Sequence, residues 1–156
     1  PGSAANLTGR KRSLHEGGIR VPGLIEWPAR IKSARRTSFP AGTMDYFPTI
    51  IDLVGYKMPD ARPIDGLSLL ACLDQEIGKR AKPIGFLFGG QSALIDNDYK
   101  IYRRKGNADW MLYNLKQDPA EKSNLALKSP EVLNEMLQTF KAWNESVQHS
   151  ADGNDY

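Results

Sequence analysis

Three consecutive cations, Arg10-Lys11-Arg12, sit in a glycine- and polar-rich segment that leads into His15 and Glu16. Such a row attracts anions: lysine offers a compact point charge, and arginine a planar fork that fits oxyanions. A charge run by itself is most often solvated surface, which is also the reading of Arg35-Arg36 and Arg103-Arg104-Lys105. Glu16 and Arg20, four positions apart, can pair across a turn, and Gly17-Gly18 between them supply backbone freedom. All four are read as structural.

Other reactive side chains are few. The single cysteine, Cys72, lies in Leu69-Leu70-Ala71-Cys72-Leu73 and reads as a buried small hydrophobe. One cysteine permits neither an internal disulfide nor a cysteine-based zinc site. Neither His15 nor His149 has further His, Cys or acidic residues at metal-ligand spacing, so no metal site is expected. Asp96-Asn97-Asp98 opens like a calcium loop, but Lys100 occupies a ligand position and no glutamate closes the loop, so a turn is expected. No Ser/His/Asp order and no glycine-rich phosphate loop occurs.

The elements that must position these groups fall into two halves. Residues 1–18 read as a loop, and Ile19 to Trp27 as a short strand, with Pro22 at an edge position or at the strand's entry and Pro28 stopping it. Thr43 is placed to cap a helix whose apolar residues Phe47, Ile50, Ile51 and Val54 would pack on a core, closed by Gly55. A short helix is expected over Leu67 to Leu73. Beyond about residue 80 the period changes to strands at Ile84–Phe88, Ser92–Ile95, Tyr99–Arg103 and Trp110–Asn114. Ser129-Pro130-Glu131 then opens a helix with Leu133, Met136, Leu137, Phe140 and Val147 on one face. The second half is therefore an α+β arrangement, a small four-stranded antiparallel sheet with a C-terminal helix.

The 156 residues carry 21 basic and 18 acidic side chains, a net charge of +3. That excess is too mild, and too poor in interleaved aromatics, for nucleic-acid binding. No apolar run approaches the roughly 20 residues of a membrane span, so no membrane partner is expected. The chain does not begin with methionine, and an upstream segment is expected.

Five segments in order carry a family resemblance. Lys11, five positions before Glu16-Gly17-Gly18-Ile19-Arg20-Val21-Pro22, resembles the sulfatase pattern of a lysine followed by Glu-Gly-Gly-x-Arg-x-Pro, and Trp27-Pro28 ends it in the family manner. Asp45-Tyr46-Phe47-Pro48-Thr49 and Ile64-Asp65-Gly66-Leu67-Ser68-Leu69 are similar to the family's Asp-x-x-Pro-Thr and Asp-Gly-x-Ser-Leu segments. Tyr99-Lys100-Ile101 and the stretch from Leu112 to Leu125 resemble its closing hairpin and the loop before the last helix.

The resemblance implies that residues 1–78 are the tail of a larger amino-terminal α/β sulfatase domain and 79–156 a carboxy-terminal sheet-plus-helix subdomain. It implies sulfate-ester hydrolysis by a formylglycine beside a calcium ion, both supplied by the amino-terminal part. No such motif is present here, since Cys72 is followed by Leu73-Asp74-Gln75-Glu76. Lys11 carries over as the catalytic sulfate contact. An ammonium aimed at the leaving oxygen stabilises the transition state more than the ground state. His15, Arg10 and Arg12 are the expected substrate-binding residues, for a sulfated small molecule or carbohydrate. The other expected partner is the amino-terminal domain of the same polypeptide, with self-association of the chain when alone, and inactivity. A secreted, periplasmic or lysosomal location is suggested by the same resemblance. The alternative is a non-catalytic anion-binding or interaction module acting through Arg10, Lys11 and Arg12.

Overall fold

The computed structural model describes residues 3–105 and 109–155. Contacts divide them into two units: residues 3–22 with 83–105 and 109–148, and residues 23–82 with 149–155. The sequence division at 78/79 groups the first residues differently. Their partners are on the sheet of the first unit, not next to them in the chain.

In that unit β1 (Ile84–Phe88), β2 (Gln91–Asp96), β3 (Tyr99–Arg103) and β4 (Met111–Asn114) form an antiparallel sheet in chain order. The hairpins are set locally. Gly89 and Gly90 both take positive φ, +57° and +79°, as a two-residue turn between β1 and β2 requires. Asn97, at φ +52°, opens the next turn in the left-handed conformation that asparagine tolerates. Register then sorts the side chains by period two. Gly85, Leu94, Ile101 and Leu112 stand in one row, and Phe86, Ala93, Tyr102 and Met111 in the adjacent row on the other face.

Four helices occur among the described residues: α1 (Glu16–Ile19), α2 (Tyr46–Leu53), α3 (Leu70–Asp74) and α4 (Pro130–Ala151). The last of them covers the first face of the sheet. Proline at its first position removes an amide that had no helical partner, and Glu131 lies at the positive end of the dipole. Buried Met136 packs with Val132, Leu133, Leu137, Phe140 and Trp143 against Leu94, Ile101 and Leu112. Each of the three fully buried sheet residues contributes about 1.5–3 kcal/mol by leaving water. A Cβ on Gly85 would overlap the Trp143 indole, so glycine there is a packing requirement. Val147, expected on this face, is half-buried and stands outside the cluster.

The expected strand over Ile19 to Trp27 is not formed. Ile19 ends the short helix α1, residues 20–27 have no ladder partner among the described residues, and Val21 and Leu24 are 76% and 94% exposed. Pro22 lacks an amide donor, and no described strand lies alongside to supply pairing. Residues 16–18, expected in a loop, belong to α1 because Gly18 and Ile19 amides close on the His15 carbonyl.

In the second unit a 3₁₀ turn, Thr43–Asp45, precedes α2. Thr43 is inside that turn and does not cap it. Asp45 accepts from the Gly42 amide instead, at 2.8 Å. The helix ends as expected: Gly55 has φ +67°, Tyr56 N–H donates to Ile51 O and Gly55 N–H to Asp52 O. Its apolar stripe differs from expectation, with Phe47, Ile50 and Val54 exposed. α3 starts at Leu70, three residues later than the sequence suggests, and ahead of it the Leu67 and Leu69 amides donate to Asp45 Oδ1 and Thr49 Oγ1, each at 2.9 Å. No helix among the described residues is long and apolar enough to cross a membrane.

Candidate functional site: the lysine turn

Residues 7–19 lie against the sheet face opposite α4. Leu14 anchors them, buried with Ala93, Tyr102 and Tyr113 and flanked by Ile19, Phe86, Met111 and Leu115. Thr8 ties the start of the segment, its hydroxyl donating to Ala120 O at 2.6 Å and its carbonyl accepting from Gly17 N–H at 2.8 Å. Gly17 and Gly18 are needed for room, not for unusual backbone angles: neither takes a positive φ, yet a Cβ on Gly17 would come 2.6 Å from Thr8 O, and one on Gly18 would overlap Ser13 O.

Lys11 stands in a tight turn closed by Ser13 N–H donating to Arg10 O at 2.9 Å. Arg12 follows at φ +73°, an uncommon conformation for a residue other than glycine. Gln91, the first residue of β2, clamps this turn from the sheet. Its Nε2 donates to Arg12 O at 2.9 Å, and its Oε1 accepts from Leu14 N–H at 3.2 Å and from the Tyr102 hydroxyl at 3.0 Å. Arg10, Lys11 and Arg12 are all exposed and make no ion pair among the described residues.

Beneath the turn lies a buried charge cluster. Lys100 Nζ is 2.9 Å from Glu16 Oε1 and 2.9 Å from Glu121 Oε1, with the lysine side chain fully buried. Glu121 Oε2 accepts from the Glu16 amide at 2.7 Å. His15 Nδ1 lies 3.2 Å from Glu121 Oε1, and its ring lies 4.0 Å from that of Tyr102. Burial pushes the Glu121 carboxyl up, but His15, Lys100 and the Glu16 amide together hold it below its ordinary value of 4.5. Burial also pushes the Tyr113 hydroxyl up to about 12. The expected Glu16–Arg20 pair is present at 3.9 Å, but Lys100 is the closer partner of Glu16.

The sequence reading thus brought Arg10, Lys11, Arg12 and His15 to one segment, and the structure places His15 inward while the three cations point outward as exposed residues. It missed Gln91, Lys100, Tyr102 and Glu121. Lys100 alternating with Tyr99 and Ile101 gave one signal, a charged residue among residues of a buried strand.

The calcium and formylglycine that the resemblance implies do not fit the residues present. No group of three or more His, Cys, Asp or Glu able to hold a metal occurs among the described residues. Cys72 is half-buried rather than buried, and burial pushes its thiol above the ordinary value of 9.0. No step is derived through either group.

Glu121 and Asp45, both held below their ordinary values, make stability fall in acid. A carboxylate with a depressed folded pKa contributes fully above its unfolded value, and the contribution is lost as pH falls through the folded one. The melting temperature should therefore stay level from neutrality to about pH 5 and drop steeply toward about pH 3. A level melting temperature across that whole range, measured by circular dichroism, contradicts the network.

The sequence matches no family model. It is 42% identical over 76 residues to human arylsulfatase D, covering 49% of this chain and 13% of that protein. It is 32% identical over 143 residues to an uncharacterized sulfatase of Schizosaccharomyces pombe, covering 82% of this chain and 25% of that one. Among solved structures, that of Ps i-CgsB in complex with k-i-k-neocarrahexaose superimposes with a TM-score of 0.77 at 29% identity, over 90% of this chain and 32% of the other. The chain thus spans between about an eighth and a third of the length of these relatives. The four-stranded sheet with its terminal helix matches the carboxy-terminal portion of arylsulfatase-like proteins. The chain belongs to the sulfatase family.

Proposed function

We propose that this chain is the carboxy-terminal part of a sulfuric ester hydrolase and that Lys11 contacts the sulfate group in its active site. The observation that carries the reading is the state of Lys11: exposed, without an ion-pair partner among the described residues, on a turn fixed from the sheet by Gln91. A cation so held costs little reorganisation when charge develops on a departing ester oxygen. Arg10 and Arg12 add attraction for an anionic substrate, and His15 adds the part of its ring not engaged by Glu121 and Tyr102. The substrate class is a sulfated small molecule or carbohydrate; the k-i-k-neocarrahexaose held by the similar Ps i-CgsB supports the latter.

On this reading the formylglycine nucleophile and the calcium ion belong to the amino-terminal part of the same polypeptide, and the chain alone is inactive. The exposed apolar residues Phe47, Ile50 and Val54 of α2 are then surface that the amino-terminal domain covers, or that drives self-association without it. A secreted, periplasmic or lysosomal location fits the same reading.

The test is to express the chain together with its upstream coding sequence and to assay an aryl sulfate. Lys11→Ala is expected to lower kcat on the order of 10²–10³-fold. Full activity of that variant removes the assignment. An upstream sequence without Cys-x-Pro/Ala-x-Arg, with sulfated polysaccharide retained by the chain, establishes instead the anion-binding module that the exposed cation row would also suit.

A further inference from the structure

We propose that Gln91 is a positioning residue for Lys11, holding the turn in the one conformation that presents the ammonium to its anion. The inference rests on the sulfate-contact reading of Lys11 given above. Gln91 is the only described side chain hydrogen-bonded to the turn from the sheet: it gives a donor to Arg12 O and an acceptor to Leu14 N–H, on either side of Ser13. A planar amide supplies both functions at the spacing of a backbone peptide, so Gln91 stands in for a missing neighbouring strand.

Two further features make this more than a surface contact. Arg12 holds φ +73°, a conformation that persists only where surrounding bonds over-determine it. The Arg10–Ser13 bond closes the turn, and the Gln91 amide fixes its exit. The amide itself is fixed in turn. The Tyr102 hydroxyl donates to Oε1, which orients the amide so that Nε2 faces Arg12 O. Gln91 in addition follows directly on the Gly89-Gly90 turn, where its backbone pairs with Phe88 and leaves little freedom to its Cα. The chain from a rigid hairpin to the lysine is thus short and bonded at every link.

The experiment uses the active polypeptide carrying its upstream sequence, with an aryl sulfate as probe. Gln91→Leu is expected to lower kcat about 10–100-fold with KM changed less than about 3-fold, the mark of a misplaced group that acts in the transition state. Gln91→Glu keeps the size and the acceptor, sets a carboxylate oxygen against Arg12 O, and should lower kcat in the same direction; it carries the test if the leucine variant does not fold. Added to Lys11→Ala, either change should lower kcat no further, because a residue acting through Lys11 has nothing left to position. Unchanged kcat in both Gln91 variants, a loss confined to KM, or losses that multiply in the double variants overturn the inference while leaving the Lys11 reading in place. Full activity of Lys11→Ala overturns both.

Discussion

Replacing Lys100 by methionine should destabilise the protein by about 3–5 kcal/mol, because removal of one partner leaves buried charge uncompensated. Glu16 and Glu121 both reach the Lys100 ammonium at 2.9 Å, and the two carboxylates are 5% and 0% exposed. Without the cation they face each other through a medium of low effective dielectric. The loss is to be read from urea unfolding of the chain. The double variant Lys100→Met/Glu121→Gln should lose clearly less than the sum of its parts, since it removes charge as well as pairing. A single-variant loss below about 1 kcal/mol would mean that the cluster is not holding residues 8–16 to the sheet.

Asp45→Ala is expected to cost a similar amount, about 3–5 kcal/mol, by a different route. Asp45 is fully buried and meets Arg80 in a two-bond fork, Nη1 to Oδ2 and Nη2 to Oδ1, each at 2.8 Å. The same two oxygens accept the Gly42 and Leu67 amides at 2.8 and 2.9 Å. Burial pushes this carboxyl up, but Arg80 and the two amides more than offset it, so that its pKa lies below the ordinary value of 3.8. Alanine abolishes all of these bonds and takes the fork away from a guanidinium whose side chain is 1% exposed. Hydrogen exchange offers the direct measure: the Gly42 and Leu67 amides should lose protection in the variant, while those of the Leu94 and Ile101 strands keep it. Unchanged protection at Gly42 and Leu67 would contradict the role given to Asp45.

How much of this was legible beforehand follows the range of the interactions involved. The four strands and the terminal helix could be read because their signals are local: alternation, glycine or asparagine at the turns, and proline at a helix start. The terminal cap of α2 was equally local, a glycine just past the helix. The strand over Ile19 to Trp27 failed for the opposite reason. Its β-branched residues fit a ladder, but a ladder needs a second strand, and none lies beside it among the described residues. The apolar stripe of α2 was correctly seen as a stripe, while what it faces is not a property of those residues.

The sequence by itself determined the four strands of an antiparallel sheet, the terminal helix, the family resemblance and the cation row at Arg10 to Arg12, while the order of the strands is read from the structure. Tertiary structure alone decided what supports that row. Glu16 meets Lys100 across 84 positions and Glu121 across 105, and Leu14 meets Gln91 across 77. A lysine in a strand or a glutamate in a loop carries no mark of its partner, because pairing energy depends on distance through space and on the water excluded between the groups, and chain separation encodes neither.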